Sequence, residues 1–269
     1  MRIKIGYELS IEVAAPTALV LMLNVHPERA GDLEQADLVR FTPNVWPHRY
    51  YDHFGNPCVR VMAPAGAFTF ATEAVIRDSG LPEPWPTHAL GTPVEQIPDE
   101  ALGFLMPSRY CEVDQMIGVA WSHFGTATPG WGRVKAILDF VHGHLTFDYA
   151  RANPLRTAKM AYEEKVGVCR DFMHLAITFC RCLNIPARYA TGYLGDIGVP
   201  AVPCPMDFSA FFEVFLDGKW WAMDARHNAP RIGRVIQARG RDAADVALIT
   251  TFGPHRLTKF LVVTDEVKE

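Results

Sequence analysis

The sequence predicts an α+β protein in which an N-terminal antiparallel β-sandwich-like domain precedes a domain of helices packed on an antiparallel sheet. Three observations support this: alternating apolar and polar residues near the start, a dense group of prolines after them, and helical apolar periodicity followed by strand patterns in the rest. The chain has 269 residues, of which 49% are hydrophobic and 21% charged, so it has enough apolar residues for a sizeable core.

The first part of the chain shows strand patterns only. Residues 2–13 alternate between apolar and polar, and this period of two is typical of a half-buried strand. The short apolar run at residues 18–23 predicts a second strand, and residues 68–76 alternate again. A turn cluster at residues 52–57 lies between them. We therefore predict an N-terminal β-domain over residues 1–80.

A proline-rich segment follows this domain. Proline blocks both helix interiors and central strands, so we interpret residues 81–98 as a linker and residues 99–269 as a second, core domain. A quarter of the 20 prolines lie in this segment, namely Pro82, Pro84, Pro86, Pro93 and Pro98.

Helices open the second domain. Apolar residues at spacings of three, four and seven predict an amphipathic helix over residues 131–144. A shorter helix is expected at about residues 157–165, with Gly167 ending it, because glycine is common just after a helix C-terminus. The clearest apolar face belongs to a helix over residues 169–183. Further along, Asp242 is expected to cap another helix.

Strands follow the last long helix. Asp217 and Gly218 form a strong two-residue hairpin signal between two of them. The register that such a hairpin imposes puts Ser209 and Asp224 on one face as diagonal neighbours, about 7–8 Å apart. The predicted strands cover residues 187–194, 208–216, 219–224 and 260–264.

Charge and composition exclude several classes of protein. The net charge of −4 and the pI near 6.2 argue against a nucleic-acid binder and give no attraction to anionic membranes. No apolar run approaches the roughly 18 residues that a membrane-spanning helix needs. The cysteines form no C-x-x-C pair and no dense cluster, so we expect free thiols in a reducing compartment and a cytoplasmic protein. They lie at positions 58, 111, 169, 180, 182 and 204.

Cys169 is the candidate nucleophile because it opens the strongest helix. The first N–H groups of a helix lack internal partners and carry partial positive charge. A thiolate is stabilised there, so the pKa of Cys169 is expected to fall below the free value of about 8.5. The same N–H groups could form part of an oxyanion hole. The alternative is that Cys169 is a small buried residue without chemistry.

Several linked motifs around Cys169 resemble the transglutaminase-like superfamily, in particular its bacterial cysteine peptidases. The N-terminal strands resemble the β-domain that precedes the core in those proteins. The motifs are VGVCRDF at residues 166–172, LNIPARYATGY at 183–193, DFSAFFEV at 207–214 and WWAMD at 220–224.

This resemblance implies a papain-like fold with a Cys-His-Asp catalytic triad, in which Cys169 matches the nucleophile and Asp224 the acidic member. At the position of the histidine this chain has Ser209, and Phe211 stands where the family has tryptophan. A serine hydroxyl cannot act as a base near neutral pH, whereas histidine can. His227, three residues after Asp224, is a candidate substitute.

Two hypotheses about function therefore remain open. In the first, the protein is a cysteine-nucleophile amide hydrolase or acyl transferase that forms a thioester at Cys169 with a peptide or protein amide substrate. In the second, it is a catalytically inactive peptide- or amide-binding protein on the same fold. The resemblance implies neither a metal nor an organic cofactor. His174 is predicted to be structural, because its position on the helix points it away from the thiol.

Overall fold

The computed structural model describes residues 1–201 and 205–268, so Cys204 lies outside the described residues. Within them the chain forms mixed helices and antiparallel sheets, as the sequence predicts. The strands are β1 (Arg2–Val13), β2 (Thr17–Leu21), β3 (Arg40–Thr42), β4 (His48–Tyr51), β5 (Pro57–Ala63), β6 (Gly66–Arg77), β7 (Thr146–Phe147), β8 (Val166–Gly167), β9 (Ala187–Tyr193), β10 (Ser209–Leu216), β11 (Lys219–Met223), β12 (Val235–Gly240), β13 (Ile249–Thr251) and β14 (His255–Glu266). The α-helices are α1 (Asp99–Leu102), α2 (Val113–Phe124), α3 (Trp131–His144), α4 (Ala158–Glu164) and α5 (Cys169–Cys182).

The N-terminal region is a sandwich of two four-stranded antiparallel sheets. Their strand orders are β14-β1-β6-β3 and β13-β2-β5-β4. Side chains from both sheets, such as Leu9 and Phe70 from one and Leu19 and Val61 from the other, are buried in a shared core. The alternation in the first strand decides which face is buried, because successive side chains point to opposite sides.

The last strand corrects the sequence prediction. We expected residues 260–264 in the second sheet, but β14 pairs with β1 along its whole length, from Ile3 opposite Glu266 to Val13 opposite His255. The short β13 likewise joins β2. The C-terminal strands therefore complete the sandwich, so the core predicted over residues 99–269 does not contain all of that segment. A period of two indicates a half-buried strand but not its partner.

The second sheet has the strand order β11-β10-β9-β12, and α5 packs against it. Asp217 and Gly218 form the predicted hairpin, both with positive φ, and Leu216 pairs with Lys219. The ladder ends at Phe212 opposite Met223, so Asp224 lies just past the strand. None of the helices in the described residues is long and apolar enough to cross a membrane.

Two local predictions need correction. Helix α4 ends at Glu164. Its C-cap residue, Lys165, adopts the left-handed conformation at φ 56°, and Gly167 lies beyond it in β8. Gly167 is needed because a Cβ there would lie 2.6 Å from the side chain of Asp171. Asp242 caps no helix: it opens a turn, and its carboxylate accepts the backbone N–H groups of Ala244 and Tyr110.

Candidate active site

Cys169 is the first residue of α5, directly after the N-cap residue Val168, as the sequence predicts. Its side chain is partly exposed in a groove, whereas the other described cysteines are buried. The backbone N–H groups of Ala210 and Arg170 point at the sulfur. Backbone N–H groups beside a nucleophile are the kind of donor that an oxyanion hole uses.

The prediction that the pKa of Cys169 is low is wrong. Burial raises the pKa of the thiol, and the nearby Asp207 carboxylate raises it further. The N–H groups of Ala210 and Arg170 and the charge of Arg226 lower it, but not enough to reverse the direction. The thiol is therefore protonated at neutral pH and needs a base to become a nucleophile.

A buried ionic network fixes the first turn of α5 behind the sulfur. The fully buried Asp171 accepts the N–H of Val168 at 3.0 Å, which caps the helix. Its carboxylate also pairs with Arg156 at 3.1 Å and with Arg170 at 3.2 Å. Arg156 in turn binds Glu164 at 2.8 Å. Together these contacts hold the backbone of Cys169 in place.

Asp224 is buried at the end of β11 and is surrounded by donors. Its Oδ1 accepts the backbone N–H groups of Arg226 and His227, both at 3.0 Å. Its Oδ2 accepts from the guanidinium of Arg234 at 3.1 Å, and Arg234 also binds Glu83 at 2.8 Å. Burial raises the pKa of Asp224, but the hydrogen bond from His227 and the charge of Arg234 outweigh it and hold that pKa well below the usual value.

His227 is bound to Asp224 through its Nδ1 atom, 2.8 Å from Oδ2. Because Asp224 is ionised, its carboxylate can only accept, so Nδ1 carries the proton. In the neutral ring Nε2 is then unprotonated and basic. This is the tautomer and the orientation that an acidic residue gives to a catalytic histidine.

Ser209 is buried at the start of β10 and lines one cavity together with His227. Among residues 1–201 and 205–268, its hydroxyl makes only a 3.5 Å contact with the carbonyl of Ala210. The side chain is therefore not engaged by Asp224, whose partners are His227 and Arg234.

The sulfur and the imidazole line neighbouring cavities that share the wall formed by Asp207 and Phe208. The cavity of His227 has a volume of about 300 Å³ and that of Cys169 about 530 Å³. Burial raises the pKa of Asp207. Within residues 1–201 and 205–268, no imidazole is hydrogen-bonded to the Cys169 sulfur, so the two halves of the site are adjacent but not in contact.

Cys169, Ser209, Asp224 and His227 remain candidates. The sequence did not indicate two residues that support Asp224, namely Arg234, which binds it, and Glu83, which binds Arg234. Glu83 belongs to the proline-rich segment, which we interpreted as a linker. Arg234 precedes β12, a strand that no pattern indicated. The described residues contain no cluster of three or more histidine, cysteine or acidic side chains that could hold a metal.

His174 has the structural role that its helix position predicts. It is fully buried, its Nε2 accepts the backbone N–H of Ala243 at 3.2 Å, and its ring stacks on Tyr110 at 4.9 Å. Burial holds the pKa of this imidazole well below its ordinary value, so it stays neutral.

The chain is similar to known proteins in sequence and in fold. Residues 120–225 match the family described as the transglutaminase-like superfamily. The crystal structure of a protein described as a putative cysteine protease from Cytophaga hutchinsonii superposes with a TM-score of 0.87 at 29% identity, covering 100% of this chain and 91% of that one. An uncharacterized protein, ML0607, from Mycobacterium leprae is 24% identical over 225 residues, which is 78% of this chain and 77% of that protein. The periplasmic domain of TgpA from Pseudomonas aeruginosa is more distant, with a TM-score of 0.43 at 12% identity over 83% of this chain and 90% of that one.

Proposed function

We propose that the chain is a transglutaminase-like cysteine-nucleophile enzyme, an amide hydrolase or acyl transferase that acts through a thioester at Cys169 on a peptide or protein amide. The observation that carries the proposal is the 2.8 Å bond between Nδ1 of His227 and the ionised Asp224, beside the groove of Cys169. In this proposal His227 supplies the imidazole that Ser209 cannot.

The first step transfers the thiol proton of Cys169 to Nε2 of His227. Because the pKa of the thiol is raised, the proton leaves only when a base accepts it, either in direct contact or through one bridging water. Catalytic hydrogen bonds are often long before substrate binds, so the separation in the resting site is compatible with this role. Asp224 stabilises the imidazolium that forms.

The thiolate then attacks the amide carbonyl carbon. A sulfur–carbon bond forms, and the oxyanion is stabilised by the N–H groups that point at the sulfur, those of Ala210 and Arg170. The carbon–nitrogen bond breaks, and the leaving amine takes the proton from His227. In the last step His227 takes a proton from water or a second amine, which attacks the thioester carbon. The carbon–sulfur bond breaks, a carboxylic acid or a new amide is released, and the proton returns to the sulfur to regenerate the thiol.

The second candidate, a binding protein without chemistry, is favoured by one observation. The sulfur has a raised pKa and no imidazole bonded to it in the described residues. In that case the groove would hold an amide or peptide, and His227 would serve only to satisfy the buried Asp224.

We also propose a reducing, cytoplasmic location. The described cysteines all support it, because each is a free thiol: Cys58, Cys111, Cys169, Cys180 and Cys182.

Acylation by p-nitrophenyl acetate separates the two candidates. The enzyme is expected to release p-nitrophenol and to gain one acetyl group that peptide mapping places on Cys169. His227→Gln should lower the acylation rate by about 10²–10⁴-fold, the usual contribution of a general base. His144→Gln is the matched control, because its ring binds the carbonyl of Tyr162 instead and should leave the rate unchanged. No acetyl group on Cys169 in the folded protein would favour the binding protein.

A further inference from the structure

The first half of β14 is exposed on both faces. Every residue from 255 to 261 is exposed, although this segment is paired with β1 on one side. Apolar side chains remain open to solvent there: Leu257 is 50% exposed, Phe260 41% and Leu261 48%. β14 is also the last strand of its sheet, so one edge of its backbone has no partner strand in the described residues. A long free edge with apolar side chains favours pairing with another strand.

A β-bulge places the side chains of Leu257 and Phe260 on the same face of the sheet. The register shifts between Ser10 and Ile11, so Leu257 lies opposite Ile11 and Phe260 opposite Leu9. Ile11 and Leu9 are both fully buried. Leu257 and Phe260 therefore project from the inner face of the sandwich, at an edge that the second sheet leaves open. Without the bulge their odd spacing would put them on opposite faces.

Leu257 and Phe260 line the same cavity as Cys169. The ring of Phe260 packs edge-on against Phe208, with ring centroids 6.0 Å apart, and Phe208 belongs to the wall between the sulfur and His227. The inner side of β14 thus continues directly into the nucleophile's groove. Further apolar residues line this cavity, namely Ala243, Ala244, Val246, Ala247, Leu248 and Ile249.

The cationic side chains of β14 are neutralised on its outer face. Lys259 binds Glu8 at 2.8 Å, and Arg256 is paired with Glu12. The edge is therefore charged on the outside and apolar on the side of the groove, which favours an uncharged, apolar occupant on that side.

We infer that the free edge of β14 binds the substrate as an added antiparallel or parallel strand, and that the substrate is an extended peptide with apolar side chains facing Leu257 and Phe260. This inference rests on the proposed function, which requires an amide in the groove. Strand addition supplies backbone hydrogen bonds, and pockets for alternate side chains supply specificity. The N-terminal sandwich is then half of the substrate site, because it aligns the peptide that Cys169 attacks.

Fluorescence polarisation of a fluorescein-labelled peptide, Leu-Val-Leu-Gln-Gly amide, tests this without chemistry if the protein carries Cys169→Ala. Leu257→Asn and Phe260→Asn should each weaken binding by about 10-fold or more, the usual cost of a lost apolar contact. Leu261→Asn is the matched control: Leu261 is as exposed on the same strand but lies opposite Glu8 on the outer face and does not line the cavity of Cys169, so its change should leave affinity within about twofold. The charged peptide Glu-Asp-Glu-Gln-Gly should bind at least 10-fold more weakly.

N-methylation of the peptide, one amide at a time, separates strand addition from a pocket for side chains alone. Alternating loss, with every second N-methyl group abolishing binding, supports strand addition because alternate N–H groups face the partner strand. Strand addition would be overturned if N-methylation is tolerated at every position, or if Leu261→Asn weakens binding as much as Leu257→Asn. The absence of any binding of the apolar peptide would overturn it as well. Acetylation of Cys169 by p-nitrophenyl acetate needs no strand edge, so that reaction tests the proposed function separately.

Discussion

The first turn of α5 and the end of β11 both carry buried carboxylates, but the two regions use them differently. At α5, Asp171 is bonded to Arg156, Arg170 and the helix backbone, and it binds no imidazole in the described residues. At β11, Asp224 holds His227, whose second ring nitrogen is left for other partners beside a cavity. In the proposed mechanism the first network positions the protonated thiol, and the second orients the base. Positioning and proton transfer would then be supplied by separate parts of the fold.

Asp171→Ala should have the largest effect, since it breaks the network at α5. It leaves Arg156 buried with one acidic partner fewer and uncaps the helix, so the free energy of unfolding should fall by about 3 kcal/mol or more. Urea denaturation measures this. Glu73→Ala is the matched control: it breaks the exposed Lys4–Glu73 pair and should cost less than about 1 kcal/mol. Equal losses of unfolding free energy in the two variants would contradict a special role of Asp171 in stability.

Acidification should weaken the network at β11 next. The pKa of Asp224 is lower in the folded protein than the value of about 3.9 in the unfolded chain, so the unfolded state binds more protons below that pH. The stabilisation is complete above about pH 4 and is lost as the pH falls below it, by about 2–3 kcal/mol for a carboxyl of this kind. The drop in unfolding free energy between pH 6 and pH 3 should therefore be smaller in Asp224→Asn. The same drop in both proteins would mean that Asp224 is not held ionised by its partners.

The smallest effect is expected between the two networks, at Ser209. Its hydroxyl makes only the 3.5 Å contact with Ala210, so Ser209→Ala should change the rate of Cys169 acetylation by about twofold at most. A loss of more than tenfold would give the hydroxyl itself a part in the chemistry.

Ser209 also offers a test of rescue. Ser209→His in a His227→Gln background should recover part of the lost acetylation, because position 209 lines the same cavity as His227. No recovery in a folded protein would argue against the position assigned to the base.

The sequence predicts the structural features that depend on local patterns. Helix α3, the start of α5 at Cys169 and the hairpin at Asp217 and Gly218 follow from periodicity, capping and turn chemistry within a few residues. His227 was a candidate only by proximity in sequence. Its ring returns to Asp224 because that carboxylate also accepts the N–H groups of Arg226 and His227, which turns the chain back.

The parts that could not be predicted depend on residues far apart in the chain. Arg234 and Glu83 are 151 residues apart, and nothing in either segment indicates that they meet. β14 pairs with β1 from the opposite end of the chain. The pKa of Cys169 was mispredicted for a similar reason: the helix start is a local signal, but burial and the nearby Asp207 depend on tertiary packing.

The central claim is that the protonated thiol of Cys169 needs His227 as its base. The pH profile of Cys169 alkylation tests this claim directly. Iodoacetamide rates at this residue should be measured from pH 6 to pH 10 in the native protein and in His227→Gln. We expect the native thiol to react at neutral pH, and the variant to react at least tenfold more slowly there and to gain its rate only at alkaline pH, where a thiol of raised pKa ionises unaided. Superimposable profiles for the two proteins would contradict the claim that His227 serves the sulfur.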